Sequence, residues 1–168
     1  MDIKRIVTAR TEGGTSVFAD LGEPRRATAG GMDIVNVWGT PDGGAQVAAG
    51  NIDDPVLFPF FPGPGGTRLC VVHFPPQSEG HDDDTDPEET QPGLIGVFEQ
   101  DSPGMHTTDS VDYGICLSGE IILELDDGRE ELVTPGTIVV QRGTRHAWRN
   151  RSNEVCTMVY ALIGAERI

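Results

Sequence analysis

From Met105 to the end of the chain, strand-like runs follow one another with no interval long enough for a crossover helix. YGICLSGEIILELDDGREELV reads as two runs and a hairpin, broken at Gly119. Leu123 and Leu125 alternate with Glu124 and Asp126, a period of two. Asp127-Gly128 is a hairpin-turn dipeptide. Pro135-Gly136 is a second turn, followed by TIVVQ, the turn RGTR, HAWRN and the terminal run VCTMVYALIG. Parallel strands need crossover connections of a dozen or more residues, usually helical. This half of the chain is therefore restricted to an all-β antiparallel barrel or jelly roll.

The upstream sequence agrees. KRIVTA, TSVFAD and DIVNVWGT are short β-rich runs separated by EGG, GEPRR and PDGG. Residues 51–67 carry four prolines and three phenylalanines, too much proline for a central strand. This predicts an irregular segment that packs Phe58, Phe60 and Phe61 on the barrel or on a partner. TRLCVVHF, Thr67 to Phe74, is a strand ended by Pro75 and Pro76. The expected division is an N-terminal extension over 1–66, contributing to the barrel edge and a dimer, and a barrel over 67–168 with an acidic loop at 77–92. Seven acidic residues between Glu79 and Glu89 make that loop a solvated one. Its DDDTD run is a weaker calcium candidate that lacks EF-hand spacing, and His81 is expected at the surface.

The chain length suits one domain, and 22 glycines and 12 prolines suit many short strands joined by turns. A formal charge of -15 repels phosphate backbones and anionic bilayers, so nucleic acid and membrane are poor partners. The three cysteines are far apart in apolar runs and read as buried free thiols. With no apolar run near the length of a membrane span, the expected location is cytoplasmic.

Two stretches carry the chemistry. GMHTTDSVDYGICLSGE and GTIVVQRGTRHAWRN resemble the two signature motifs of the cupin superfamily. His106 matches the first histidine of the first motif, Thr108 stands at the second histidine, Asp112 at the glutamate, and Gly119 follows after six intervening residues. In the second motif Gly143, His146 and Asn150 match, with Gln141 in place of proline. The resemblance implies a double-stranded β-helix and a homodimer joined at the N-terminal arm. It also implies a small-molecule enzyme of the lyase, isomerase or dioxygenase type, with His106, His146 and Asp112 as catalytic residues. Those three would hold one divalent metal, Fe, Mn, Ni or Zn. The substrate would carry a carbonyl or carboxylate, and decarboxylation, isomerisation, dehydration and dioxygenation all stay open.

A metal-free pocket is the other reading, with His106 and His146 as acid and base or as ligand contacts in a binding or sensing barrel. Thr108, Met105, Gln141, Trp148, Ile115 and Leu123 are the expected ligand contacts, and Leu117 and Val139 further barrel-lining residues. Alternation from Asp112 turns Tyr113 outward to pack. Arg142, Arg145, Arg149 and Arg151 are expected to neutralise nearby carboxylates such as Asp126 and Asp127, or one of them to grip an anionic substrate.

Overall fold

The computed structural model describes residues 2–50, 54–78 and 85–168. Among them, the alternating and β-branched runs form eleven strands: β1 Val7–Arg10, β2 Ser16–Ala19, β3 Arg25–Ala29, β4 Met32–Thr40, β5 Thr67–Phe74, β6 Ser110–Ser118, β7 Ile121–Glu124, β8 Glu130–Val133, β9 Ile138–Arg142, β10 Ala147–Arg149 and β11 Cys156–Gly164. All pairings are antiparallel. A six-stranded sheet runs β3-β4-β5-β11-β6-β9 and a three-stranded sheet β10-β7-β8, while β1 and β2 form a separate hairpin. The fold is the expected all-β jelly-roll barrel. The sequence reading treated GEPRR as a spacer, but Arg25 and Arg26 already belong to β3. They pair with Asn36 and Val35 across the hairpin.

Register decides which side chains meet inside. Arg68, Leu162, Asp112 and Gln141 form one inward row across β5, β11, β6 and β9. Cys70, Tyr160, Gly114 and Val139 form the next. Because successive residues of a strand face opposite sides, Val71, Val159, Ile115 and Ile138 form an outward row, and Leu69, Ala161, Tyr113 and Val140 another. Tyr113 is exposed, as expected. Ile115 and Leu117 are exposed too, so neither lines the barrel. Each lies an odd number of residues from Asp112, which puts it on the opposite face.

The core between the two sheets is built from residues such as Ile34, Val72, Met158, Ile121 and Val133. Cys70, Cys116 and Cys156 are buried and free. Residues 51–53 lie outside the described residues; from residue 54 the Pro/Phe-rich segment is irregular, and Phe60 and Phe61 turn inward. Phe60 is buried, Phe61 packs against the core, and Phe58 lies under Arg25. Two glycines let this segment lie flat on the sheet. A Cβ added at Gly39 would overlap the Val56 carbonyl, and one at Gly164 would overlap that of Gly63. The segment is bonded there as well: Val56 N–H donates to Gly39 O, Gly164 N–H to Gly66 O, and Gly65 N–H to Gly164 O.

Residues 79–84, including His81 and most of DDDTD, lie outside the described residues. The following part of the loop is docked rather than free. Asp86 caps a one-turn helix, α1 Pro87–Thr90, by accepting from Glu88 N–H at 2.9 Å. Gln91 is fully buried and donates to Asn36 Oδ1 at 3.0 Å. No described helix is long and apolar enough to cross a membrane.

Candidate functional site

A cavity of about 440 Å³ opens between the two sheets. Its walls are mostly apolar, with Phe60, Phe61, Phe98, Trp148 and Leu162 among them. His106, His146, Asp112, Gln141 and Tyr160 bring polar atoms into it. A few placed polar groups on an apolar wall is the usual make-up of a small-molecule site.

The two histidines are brought together by main chain. His146 immediately precedes β10, and His106 lies in a short extended stretch beside it. Each N–H donates to the other's carbonyl at 3.0 Å. They are thus directly opposed in an antiparallel bridge, with side chains on the same side and ring centroids 4.1 Å apart. Phe98 bridges to the other side of His106, and its ring stacks there at 4.6 Å.

Hydrogen bonding selects the tautomers. Nδ1 of His106 lies 3.1 Å from Gly104 O and Nδ1 of His146 lies 2.9 Å from Thr144 O. A carbonyl only accepts, so both Nδ1 atoms carry hydrogen and both Nε2 atoms keep a lone pair. Burial, with a charge on His106 adding to it, pushes His146 down to about 4 against its bond to Thr144. Burial also lowers His106, partly opposed by its bond to Gly104 and by Glu99. Near neutral pH the pair is two uncharged imidazoles.

Asp112 sits on β6, paired with Gln141 on β9. Both are buried. Burial lifts the Asp112 carboxyl to about 6, against the pull of the Ser110 and Thr108 hydroxyls. Three buried polar atoms along this wall lack a hydrogen-bond partner: Asp112 Oδ1, Gln141 Nε2 and the Tyr160 hydroxyl. The Tyr160 ring fits only because β6 has a glycine beneath it. A Cβ at Gly114 would stand 3.0 Å from Tyr160 Cε1.

The structure therefore brings His106, His146, Asp112, Gln141 and Trp148 to one cavity. Thr108 is buried beside them, but its hydroxyl accepts from Ser110 at 2.8 Å and it does not line the cavity. Met105 is buried outside the lining, since it neighbours His106 in extended chain and turns the other way. Leu123, like Val139, packs against the core without reaching the cavity, and Ile115 is on the outer surface. Tyr160 and Phe98 were missed. Tyr160 stood in the run read as a buried terminal strand, and nothing in the motifs pointed to Phe98.

Three of the four arginines, Arg145, Arg149 and Arg151, neutralise carboxylates. Arg145 makes a bidentate pair with Glu99, both bonds 2.7 Å, and reaches Asp126 at 2.8 Å. Arg149 binds Glu124 at 2.7 Å and Arg151 binds Glu130. Since Glu99 follows Phe98, the Arg145 pair also anchors the stretch that stacks on His106.

The expected metal set was His106, Asp112 and His146. Among the described residues, no three His, Cys, Asp or Glu side chains are grouped to hold an ion. The histidine pair offers two nitrogen lone pairs, and Asp112 belongs instead to the Gln141 wall. The residues present do not fit a three-ligand site in this arrangement.

The architecture is a two-sheet antiparallel barrel with opposed histidines beside an apolar cavity. Residues 97–162 match the family model described as a cupin domain. The Cnp3 cupin domain of Schizosaccharomyces pombe has the same fold, with a TM-score of 0.51 at 9% identity, over 96% of this chain and 89% of that one. Among curated proteins, Phomopsin biosynthesis cluster protein D of Diaporthe leptostromiformis is 48% identical over 65 residues, 38% of this chain and 34% of that protein. The match thus spans about a third of that relative's length. The cupin-domain-containing oxidoreductase srdB of Neurospora crassa is 24% identical over 95% of this chain and 72% of its own.

Proposed function

We propose that the chain is a small-molecule cupin enzyme that moves a proton on a carbonyl-bearing organic substrate, with the His106–His146 pair as the base. The observation that carries this reading is the pair of neutral imidazoles whose Nδ1 atoms are bound to carbonyls, leaving both Nε2 lone pairs for a ligand. Names of relatives support an enzyme: srdB is called an oxidoreductase and the Diaporthe protein belongs to a biosynthesis cluster. His106 takes the proton from the carbon next to the carbonyl, because Glu99 favours charge on it. His146 stays neutral beside it and accepts a hydrogen bond. For a β,γ-unsaturated ketone the electron pair moves onto the carbonyl oxygen as a dienolate, and return of the proton to the γ-carbon, with the double bond shifted into conjugation, completes an isomerisation.

The test is exchange in D2O with a panel of small aromatic and polyketide-like ketones, read as loss of the proton signal next to the carbonyl. His106→Ala is expected to slow exchange about 100-fold or more, within the range for general-base catalysis. Folding is unaffected in this expectation, because the bridge between positions 106 and 146 is main chain. The acid limb of the wild-type profile should fall below the ordinary histidine value of 6.5. Ketones that bind without exchanging would indicate a binding barrel. About one equivalent of metal in protein purified without chelator, lost in both His106→Ala and His146→Ala, would overturn the metal-free reading.

We also propose that a second copy covers the outer face of the six-stranded sheet. Ile138, Val140, Tyr113, Ile115, Leu117 and Leu69 are exposed there on adjacent strands. In a chain of charge -15, these two uncharged rows are where like copies approach with least repulsion. Ile138→Asp and Val140→Asp together should turn a dimer into a monomer in sedimentation equilibrium. A wild-type monomer at high micromolar concentration would end this proposal.

A further inference from the structure

We infer that Asp112, Gln141 and Tyr160 form a recognition subsite for an uncharged oxygen function of the ligand, a hydroxyl or a neutral carbonyl, and that the cavity rejects carboxylates. This rests on the reading of the cavity as a ligand site and names the substrate class it takes. The carrying observation is the set of three unpartnered polar atoms, Asp112 Oδ1, Gln141 Nε2 and the Tyr160 hydroxyl. All three residues are more than nine-tenths buried and all three line the cavity. Unpaired buried polar atoms cost stability, so such a cluster in a cavity marks a place where a ligand completes the bonding.

Their chemistry is mixed. The Gln141 amide donates, the Tyr160 hydroxyl donates or accepts, and the Asp112 oxygen accepts or, protonated, donates. A hydroxyl satisfies an acceptor and a donor at once, and a carbonyl oxygen takes the two donors. A carboxylate meets a different wall. Among the described residues the lining holds one cation, Arg149, and it is already bound to Glu124 at 2.7 Å and to Pro103 O at 2.7 Å. Arg68, in the same inward row as Asp112, donates to the carbonyls of Pro59, Thr40 and Thr67 and is not part of the lining. An anion would be desolvated beside Asp112 with no free positive charge to pair with. This narrows the substrate expected from sequence, which included carboxylates, to neutral ketones, among them those that also carry a hydroxyl.

The experiment measures binding of naphthalene, 2-naphthol and 2-naphthoate to the full chain at pH 7.5 by quenching of tryptophan fluorescence. Trp148 lines the cavity and reports it. Naphthol should bind about 10-fold or more tighter than either of the others, the factor one hydrogen bond to a buried group confers. Tyr160→Phe and Gln141→Leu should each erase most of that preference. Tyr160→Phe removes one atom and keeps the ring on Gly114, so it reports on the hydroxyl even if Gln141→Leu folds poorly. Equal affinities in the wild type, tightest binding of naphthoate, or a preference that survives both substitutions would each overturn the subsite while leaving the cavity intact. Failure of all three probes to bind would overturn the ligand site itself. Loss of exchange in His106→Ala with naphthol preference retained would separate the two proposals.

Discussion

Asp112→Asn is expected to stabilise the protein at pH 7.5 by about 3 kcal/mol, from the roughly two-unit rise in its pKa. Burial lifts this carboxyl from 3.8 to about 6, so the native state holds a proton that the unfolded chain has released. Stability from that proton is complete below pH 3.8 and is lost as pH rises through about 6. Asparagine mimics the protonated form at every pH. The gain over wild type should vanish near pH 4, grow between pH 4 and 6, and level off above. In melting temperature it amounts to roughly 6–12 °C for a chain of this size. His146 works the opposite way. Its value falls from 6.5 to about 4, so its contribution is present above 6.5 and is lost as pH drops toward 4. Subtracting wild type from variant removes the histidine from the comparison. Urea melts at several pH values check this; a gain independent of pH would show that no ionised carboxylate is buried there. The same variant should lose naphthol preference only in part, since Gln141 and Tyr160 remain.

Gly164→Ala is expected to cost about 3 kcal/mol, the upper range for forcing extra atoms into a packed site. The added methyl would overlap Gly63 O, with Gly63 C and Pro62 O also close. All are backbone atoms, so no side chain can rotate away. The Pro/Phe-rich segment must lift, and Phe60 and Phe61 leave the cavity wall with it. A lower melting temperature, new protease cleavage between residues 54 and 66, and weaker naphthalene binding should appear together. Gly96→Ala is the control, since nothing lies within 4 Å of its added Cβ. An unchanged melt and cleavage pattern in Gly164→Ala would show that the segment is not held by this contact.

Periodicity and turn chemistry made much of the barrel legible. Thr67 to Phe74 was read as a strand and is one, and Asp127-Gly128 makes the expected turn, with Asp127 at φ 59°. The spacing of His106 and His146 in two motifs pointed to a pair that the fold does bring together. What failed did so for physical reasons. Ile115 and Leu117 were placed inside by hydrophobicity alone, although their parity with Asp112 sends them outward. Tyr160 and Phe61 reach the cavity through register and through glycines on other strands, contacts remote in sequence. Arg149 neutralises a carboxylate as expected, but its partner is Glu124 on the neighbouring strand, a pairing set by register.

The two-way hydrogen bond between the main chains of His106 and His146 has a kinetic meaning. The spacing of the imidazoles is set by the peptide backbone before any ligand arrives. On the proposed reading, a substrate would meet a preorganised pair and spend none of its binding energy on gathering the base. Relatives with other side chains at these two positions would inherit the same fixed gap, so the barrel can change its chemistry without rebuilding its frame.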